Sequence, residues 1–137
     1  MKGIRYPSLA EVVAIHDEIL RRLGSTPQGL RDEGALESAI MRPQMAAWYE
    51  GADLIRQAAL LAAGISQAQA FIDGNKRTAF QTLDAFLWVN GWAYVAEPLA
   101  LAQQLEQIAD PFQDRASMID AFEAWLRERV EPRSPRS

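Results

Sequence analysis

Nine residues near the middle of the chain constrain its fold most, because they place a glycine turn and charged side chains between two apolar helical segments. They read Gln-Ala-Phe-Ile-Asp-Gly-Asn-Lys-Arg from position 69 to position 77. Gly74 and Asn75 tolerate a positive φ, so the backbone can curl its N–H groups inward around an anion. Lys76 and Arg77 add positive charge. This composition is typical of a phosphate site.

The residues after this loop have a helical pattern, which would place the anion at a helix N-terminus. Unpaired N–H groups and the helix dipole both favour negative charge at that end. Two cations are mildly unfavourable there, and a bound polyphosphate removes that conflict. Asp73 can hold a divalent cation that bridges phosphate oxygens. The alternative for the loop is an ordinary turn between helices, capped by Asn75.

Length and composition predict one compact domain. The chain has 137 residues, of which 49% are apolar and 23% charged, as in ordinary globular proteins. The absence of cysteine excludes disulfides, a thiol nucleophile and a thiolate metal site. A net charge of −4 argues against direct nucleic-acid binding. Without a signal peptide or a membrane-spanning apolar run, we expect a cytoplasmic protein that does not bind membranes.

Hydrophobic periodicity predicts an all-α domain, with a buried helical hairpin over residues 54–89 that carries the loop at its turn. A capping box at Ser8 and Glu11 begins the first helix, and Pro43 is expected to end the second. The predicted helices cover residues 8–23, 32–41, 54–69, 75–89, 98–109 and 114–130.

The remaining segments are predicted to be irregular. Residues 44–52 lack a helical period of useful length and are interpreted as a loop or a short flap. Residues 92–95 are expected to be extended and too isolated to pair. The domain is predicted to span residues 1–130, and residues 131–137, which include two prolines, to form a disordered tail.

The residues from Gln69 to Arg77 resemble the signature of the Fic fold superfamily, and most closely that of its death-on-curing (Doc) toxin branch. That signature is His-x-Phe-x-Asp-Gly-Asn, then a basic or small residue, then Arg, with Lys before the Arg in the Doc branch. The similarity extends over most of residues 5–125. The chain departs from the signature at Gln69, which occupies the position of the histidine.

The resemblance implies an all-α Fic-like bundle and a toxin of a toxin–antitoxin pair. Such a toxin transfers a phosphoryl group from ATP, with Mg²⁺, to a hydroxyl of a translation factor, elongation factor Tu. A cognate antitoxin would be its partner and would lay a helix or peptide in a groove near the site. The site residues implied are Gln69, Asp73 and Lys76 at catalytic positions, Gly74, Asn75, Lys76 and Arg77 on the nucleotide, and Asp73 on the metal.

Activity depends on Gln69. An amide has no useful proton affinity near neutral pH, so Gln69 can hydrogen-bond a hydroxyl but cannot act as a general base. Loss of base catalysis typically costs ~10²–10⁴ in rate, so we expect impaired transfer. The one histidine, His16, lies on an apolar helical face and is interpreted as a packed core residue without a role in proton transfer.

Other interpretations remain open at this level. One is a catalytically silent Fic-fold protein that still binds nucleotide, antitoxin or target. Another is AMP transfer, which Fic relatives with a small residue at the position of Lys76 perform. A third is a toxin whose base has been replaced to permit expression. Trp48 and Tyr49 either line a target-binding flap, as the resemblance implies, or cover the edge of the core.

Overall fold

The computed structural model describes residues 3–133, which form six helices and two short strands. In chain order these are α1 (Leu9–Arg22), α2 (Glu33–Glu50), α3 (Leu54–Ala68), α4 (Asn75–Val89), β1 (Trp92–Tyr94), α5 (Pro98–Ile108), α6 (Arg115–Arg127) and β2 (Val130–Pro132). The prediction of an all-α domain is confirmed. Within this range, no helix has the length and apolar character needed to cross a bilayer.

Helix α3 forms the centre of the core. It is rich in alanine and leucine, which are strong helix formers, and twelve of its fifteen residues are buried. Helices α2, α4, α5 and α6 all pack against it. Gly64 allows the close approach of α2, since a Cβ at this position would lie 3.2 Å from the Cβ of Ala39. Helices α3 and α4 therefore form the predicted buried pair, with the loop between them.

Local capping explains where the first three helices begin. The Glu11 N–H donates to the Ser8 hydroxyl at 3.1 Å, and the Ser8 N–H donates to the Glu11 carboxylate at 3.0 Å, which confirms the capping box. The carboxylates of Asp32 and Asp53 accept backbone N–H groups in the first turns of α2 and α3. Each cap satisfies donors that a helix end otherwise leaves unpaired.

The prediction that Pro43 ends the second helix is wrong, and so is the loop predicted over residues 44–52 for all but its last two residues. Helix α2 continues through Pro43 to Glu50 and ends at Gly51, which has a φ of +66°. An interior proline costs a helix about 3 kcal/mol. The helix continues because both flanking turns are packed: Ile40, Pro43 and Ala46 are all buried. Tertiary packing here overrides local propensity.

The C-terminal predictions also require correction. Helix α6 ends at Arg127 instead of continuing to Val130, and residues 130–132 form strand β2. This strand pairs antiparallel with β1, so the extended segment over residues 92–95 is not isolated; Trp92 lies opposite Pro132 and Tyr94 opposite Val130. Part of the predicted tail is thus ordered in a strand. Residues 134–137 of that tail lie outside the described residues.

Candidate functional site

Residues 69–74 form the turn between α3 and α4, and backbone contacts hold it against the segment that precedes α2. Leu30 and Phe71 form an isolated antiparallel bridge. The N–H groups of Arg31 and Asp32 both donate to the carbonyl of Ala70, at 2.7 and 3.1 Å. Because Phe71 is also fully buried, the loop is anchored in the core at its centre.

Asn75 closes the loop with its side chain. Its Oδ1 accepts the N–H of Phe71 at 3.0 Å, and its Nδ2 donates to the carbonyl of Phe71 at 2.9 Å. Only 7% of the residue is exposed. The side-chain polar atoms of Asn75 are therefore used within the protein, and its backbone N–H is the group that remains for a ligand.

The first turn of α4 presents unused backbone donors. Gly74 is the N-cap, with a φ of +84°, and provides no side-chain cap. In the described chain, the backbone N–H groups of Asn75, Lys76 and Arg77 have no protein acceptor, and the first backbone bond of the helix runs from Thr78 to Gly74 at 2.9 Å. Three free N–H groups at the positive end of a helix suit a phosphate.

Asp73 precedes this turn and has an exposed side chain. Its Oδ1 accepts the N–H of Gly74 at 2.8 Å, which leaves the second carboxylate oxygen for a ligand. Among residues 3–133, no three or more acidic, histidine or cysteine side chains gather into a metal cage. Mg²⁺ commonly binds through one or two carboxylates together with substrate phosphates. Asp73 therefore fits a Mg²⁺ ion that arrives with a phosphorylated ligand.

Lys76 and Arg77 line a groove of about 880 Å³ between α1, α4 and α5. The Nζ of Lys76 lies 3.6 Å from a carboxylate oxygen of Glu106 on α5, and both side chains are substantially exposed. In the part of the chain that the structure describes, no carboxylate pairs with Arg77. Because exposed ion pairs contribute little, both cations are accessible to an anionic ligand.

Gln69 ends α3 with a φ of +50°, and it is the one non-glycine residue with positive φ among residues 3–133. This conformation costs an ordinary residue about 1–2 kcal/mol. Two hydrogen bonds stabilise it: the Arg31 guanidinium donates to the Gln69 carbonyl at 2.5 Å, and the Gln69 side-chain amide donates to the Ser66 carbonyl at 2.7 Å. Gln69 occupies the position predicted for the catalytic base and is exposed beside the loop. Its amide side chain cannot titrate.

His16 contacts the loop from α1. It is 1% exposed, its Nε2 lies 2.7 Å from the carbonyl oxygen of Asp73, and its ring stacks on Phe71 with centroids 3.7 Å apart. The prediction of a packed core histidine is confirmed. The hydrogen bond to the loop was not predicted, because helical periodicity indicates burial but does not identify a partner.

Two further residues at the site had no functional interpretation from the sequence. Arg31 holds the Gln69 carbonyl, and Glu106 pairs with Lys76. Both contacts join segments that are distant in the chain. A pattern read along one sequence has no signal for such contacts, which depend on how the helices pack.

Trp48 and Tyr49 lie on the last turn of α2, where they are 83% and 73% exposed. The interpretation that they cover the edge of the core is therefore wrong. They border a second groove, which also includes Tyr6, Gln44 and Met45. This surface lies on a helix, in place of the predicted flap.

Comparison with known proteins finds a family model and relatives that match this chain. The family model described as the Fic/DOC family matches residues 6–87. Protein kinase doc of Escherichia phage P1 is 36% identical over 89 residues, which cover 64% of this chain and 70% of that protein. Toxin Doc of Mycolicibacterium smegmatis is 38% identical over 72 residues, which cover 50% of this chain and 54% of that protein. With its loop of Asp73, Gly74, Asn75, Lys76 and Arg77 at the N-terminus of α4, the chain belongs to the Fic/DOC family.

Proposed function

We propose that this chain is a Doc-type toxin that transfers the γ-phosphoryl group of ATP to a hydroxyl of a translation factor such as elongation factor Tu. The observation that carries the proposal is the first turn of α4, where three backbone N–H groups are free beside Lys76 and Arg77. The similarity to a protein named as a kinase and to one named as a toxin supports it.

Each group at the loop has a distinct role in this proposal. The free N–H groups and the side chains of Lys76 and Arg77 bind the phosphates, and the Asp73 carboxylate holds Mg²⁺. When bound, Mg²⁺ neutralises charge on the phosphate oxygens. Lys76 adds a cation that favours phosphoryl transfer over the AMP transfer of relatives with a small residue at its position.

The transfer forms one bond and breaks one. The acceptor hydroxyl oxygen bonds to the γ-phosphorus, the bond from that phosphorus to the bridging oxygen breaks, and ADP leaves. The hydroxyl proton must pass to a base or to water. Gln69 cannot take it, because an amide has no useful proton affinity, and His16 is buried with its Nε2 bonded to the Asp73 carbonyl. Transfer by this chain is therefore slow.

A second candidate function, binding without group transfer, also depends on Gln69. Gln69 stands where the resemblance places the general base, while the phosphate-binding groups of α4 are retained. A chain of this kind can bind nucleotide, antitoxin or target without transferring any group. The two candidates differ in whether phosphate is moved at a measurable rate.

A cognate antitoxin completes the proposal, as the partner that the Doc resemblance implies. The groove between α1, α4 and α5 supports it, because apolar residues such as Ile15, Phe80 and Leu99 line it beside Lys76 and Arg77. An amphipathic helix or peptide fits a surface of this kind. Toxin, antitoxin and translation factor would meet in the cytoplasm.

Labelled nucleotide tests the proposed function. The parent chain and the Gln69→His variant are each incubated with Mg²⁺, elongation factor Tu and ATP labelled at either the γ- or the α-phosphate. We expect the γ-label to reach elongation factor Tu, with the histidine variant faster than the parent by ~10²–10⁴, the usual contribution of general base catalysis. The Gln69→His, Asp73→Asn double variant is the control and should lose transfer.

The remaining outcomes separate the alternatives. Transfer by the parent at the rate of the histidine variant would refute the silent candidate. Transfer of the α-label would identify an AMP transferase. No transfer by either form would contradict the assignment of substrate.

A further inference from the structure

The buried imidazole of His16 makes three contacts with the turn at residues 69–74, which we call the phosphate loop. Its ring stacks on Phe71 with an angle of 9° between the planes. Its Nε2 lies 2.7 Å from the carbonyl oxygen of Asp73. A Cβ at Gly74 would lie 3.3 Å from the Cδ2 of the same ring, so the imidazole also packs against the backbone at the N-cap of α4.

The direction of the hydrogen bond between His16 and Asp73 follows from chemistry. A carbonyl oxygen only accepts, so Nε2 carries the proton and donates it. The other ring nitrogen, Nδ1, lies 3.3 Å from the carboxylate of Asp17, its neighbour on α1. With 1% of His16 exposed, water has little access to replace either contact.

One peptide plane, between Asp73 and Gly74, connects His16 to the groups that would meet a ligand. In a trans peptide the C=O and the N–H point in opposite directions within a rigid plane. Since the Asp73 carbonyl is directed at the imidazole, the Gly74 N–H is directed away from it. There it donates to the Asp73 Oδ1 at 2.8 Å and fixes the orientation of the carboxylate.

We propose that His16 is a positioning residue for the phosphate loop. Its Nε2–H holds the peptide between Asp73 and Gly74, which aims the Asp73 carboxylate and the first N–H groups of α4 at the same phosphates. The inference rests on the proposed nucleotide site. It assigns His16 no contact with nucleotide and no proton transfer.

Three variants at position 16 separate the hydrogen bond from simple packing. Glutamine can place an N–H near the position of the imidazole Nε2, whereas asparagine is shorter and matches Nδ1. Leucine fills the apolar site without any donor. Urea unfolding of each variant first confirms that it folds. The readouts are affinity for Mg²⁺ with ATP by calorimetry, and hydrogen exchange at the Gly74 amide by NMR without nucleotide.

We expect His16→Leu and His16→Asn to weaken nucleotide binding by roughly fivefold, the value of about one hydrogen bond. Exchange at Gly74 should become faster in both. His16→Gln should stay close to the parent chain in both measurements. Rescue by glutamine is the result that a packing role alone would not give, because leucine is the better match to an apolar cavity.

Two results would overturn the inference: His16→Leu with the affinity and exchange of the parent chain, or His16→Gln as impaired as His16→Leu. If the parent chain itself does not bind Mg²⁺ with ATP, the proposed function fails separately. Exchange at Gly74 then still decides the inference, since slow exchange in His16→Leu contradicts it and fast exchange rescued by glutamine supports the hydrogen bond.

Discussion

Asn75 and Lys76 are neighbours in the signature and have different tasks in the structure. Asn75 bonds both backbone groups of Phe71, whereas Lys76 lines the groove. The family resemblance implied that both residues bind the nucleotide. Which atoms of Asn75 face a ligand could not be predicted, because that depends on where the loop backbone turns.

Asn75→Ala should therefore destabilise the protein itself. The change leaves the buried N–H and carbonyl of Phe71 without partners, and each such loss costs about 1–3 kcal/mol. We expect the free energy of unfolding, measured in urea, to fall by about this amount or more. Gln103→Ala, at an exposed position on α5, is the control and should change little. Equal stability of the two variants would show that the Asn75 bonds do not hold the loop.

At the scale of elements, α4 and α5 are joined near the site by the pair of Lys76 and Glu106. Glu106 is 71% exposed and Lys76 is 48% exposed, so the pair is weak and open to exchange. A phosphate that binds Lys76 must compete with the Glu106 carboxylate. The carboxylate also adds negative charge beside the groove where an anionic ligand would bind.

Glu106→Gln should bind Mg²⁺ with ATP more tightly than the parent chain. The expected gain is roughly two- to fivefold at low salt, the size of one exposed ion pair, and it should shrink as salt is added. Calorimetric titrations at two ionic strengths measure it. Glu128→Gln, which removes the same charge just after α6, is the matched control. If the two variants gain equally, net charge rather than the local pair is the cause.

The residues at which the helices begin were predicted more accurately from the sequence than the residues at which they end. The first turns of α1, α2 and α3 depend on caps within three or four residues, so local patterns suffice for them. The passage of α2 through Pro43 depends on burial, and the pairing of β1 with β2 joins segments far apart in the chain. A three-residue strand is also too short to show a period.

At the scale of the whole molecule, an ion-pair network fastens α6 to the start of α3. Arg127 lies 2.8 Å from Asp53, the N-cap of α3, and 2.8 Å from Glu123. Arg56, in the first turn of α3, lies 2.9 Å from Glu123 and 2.8 Å from Asp120. The cap at Asp53 was predictable from the sequence. Its pairing with Arg127 was not, because it depends on how α6 packs.

This network makes stability depend on pH in a definite direction. The hydrogen bond from Arg127 is the largest cause that lowers the pKa of Asp53 below its ordinary value of 3.8. A carboxyl with a lowered folded-state pKa contributes stability above its unfolded pKa and loses that contribution as pH falls through the folded value. The Asp53 contribution is therefore complete near neutral pH and is lost in acid, below about pH 4.

Arg127→Gln should reduce both the stability at neutral pH and its decrease in acid. Without the guanidinium, the pKa of Asp53 returns toward its ordinary value, so less stability remains to be lost below about pH 4. Urea unfolding of the parent chain and the variant, at about pH 7 and about pH 3, measures the two differences. Arg22→Gln is the control, because it removes an exposed ion pair with Glu18 that lies within α1 and does not join two helices. If the free energy of unfolding falls as much in acid for Arg127→Gln as for the parent chain, Asp53 titrates independently of Arg127. The link between α3 and α6 would then rest on apolar packing alone.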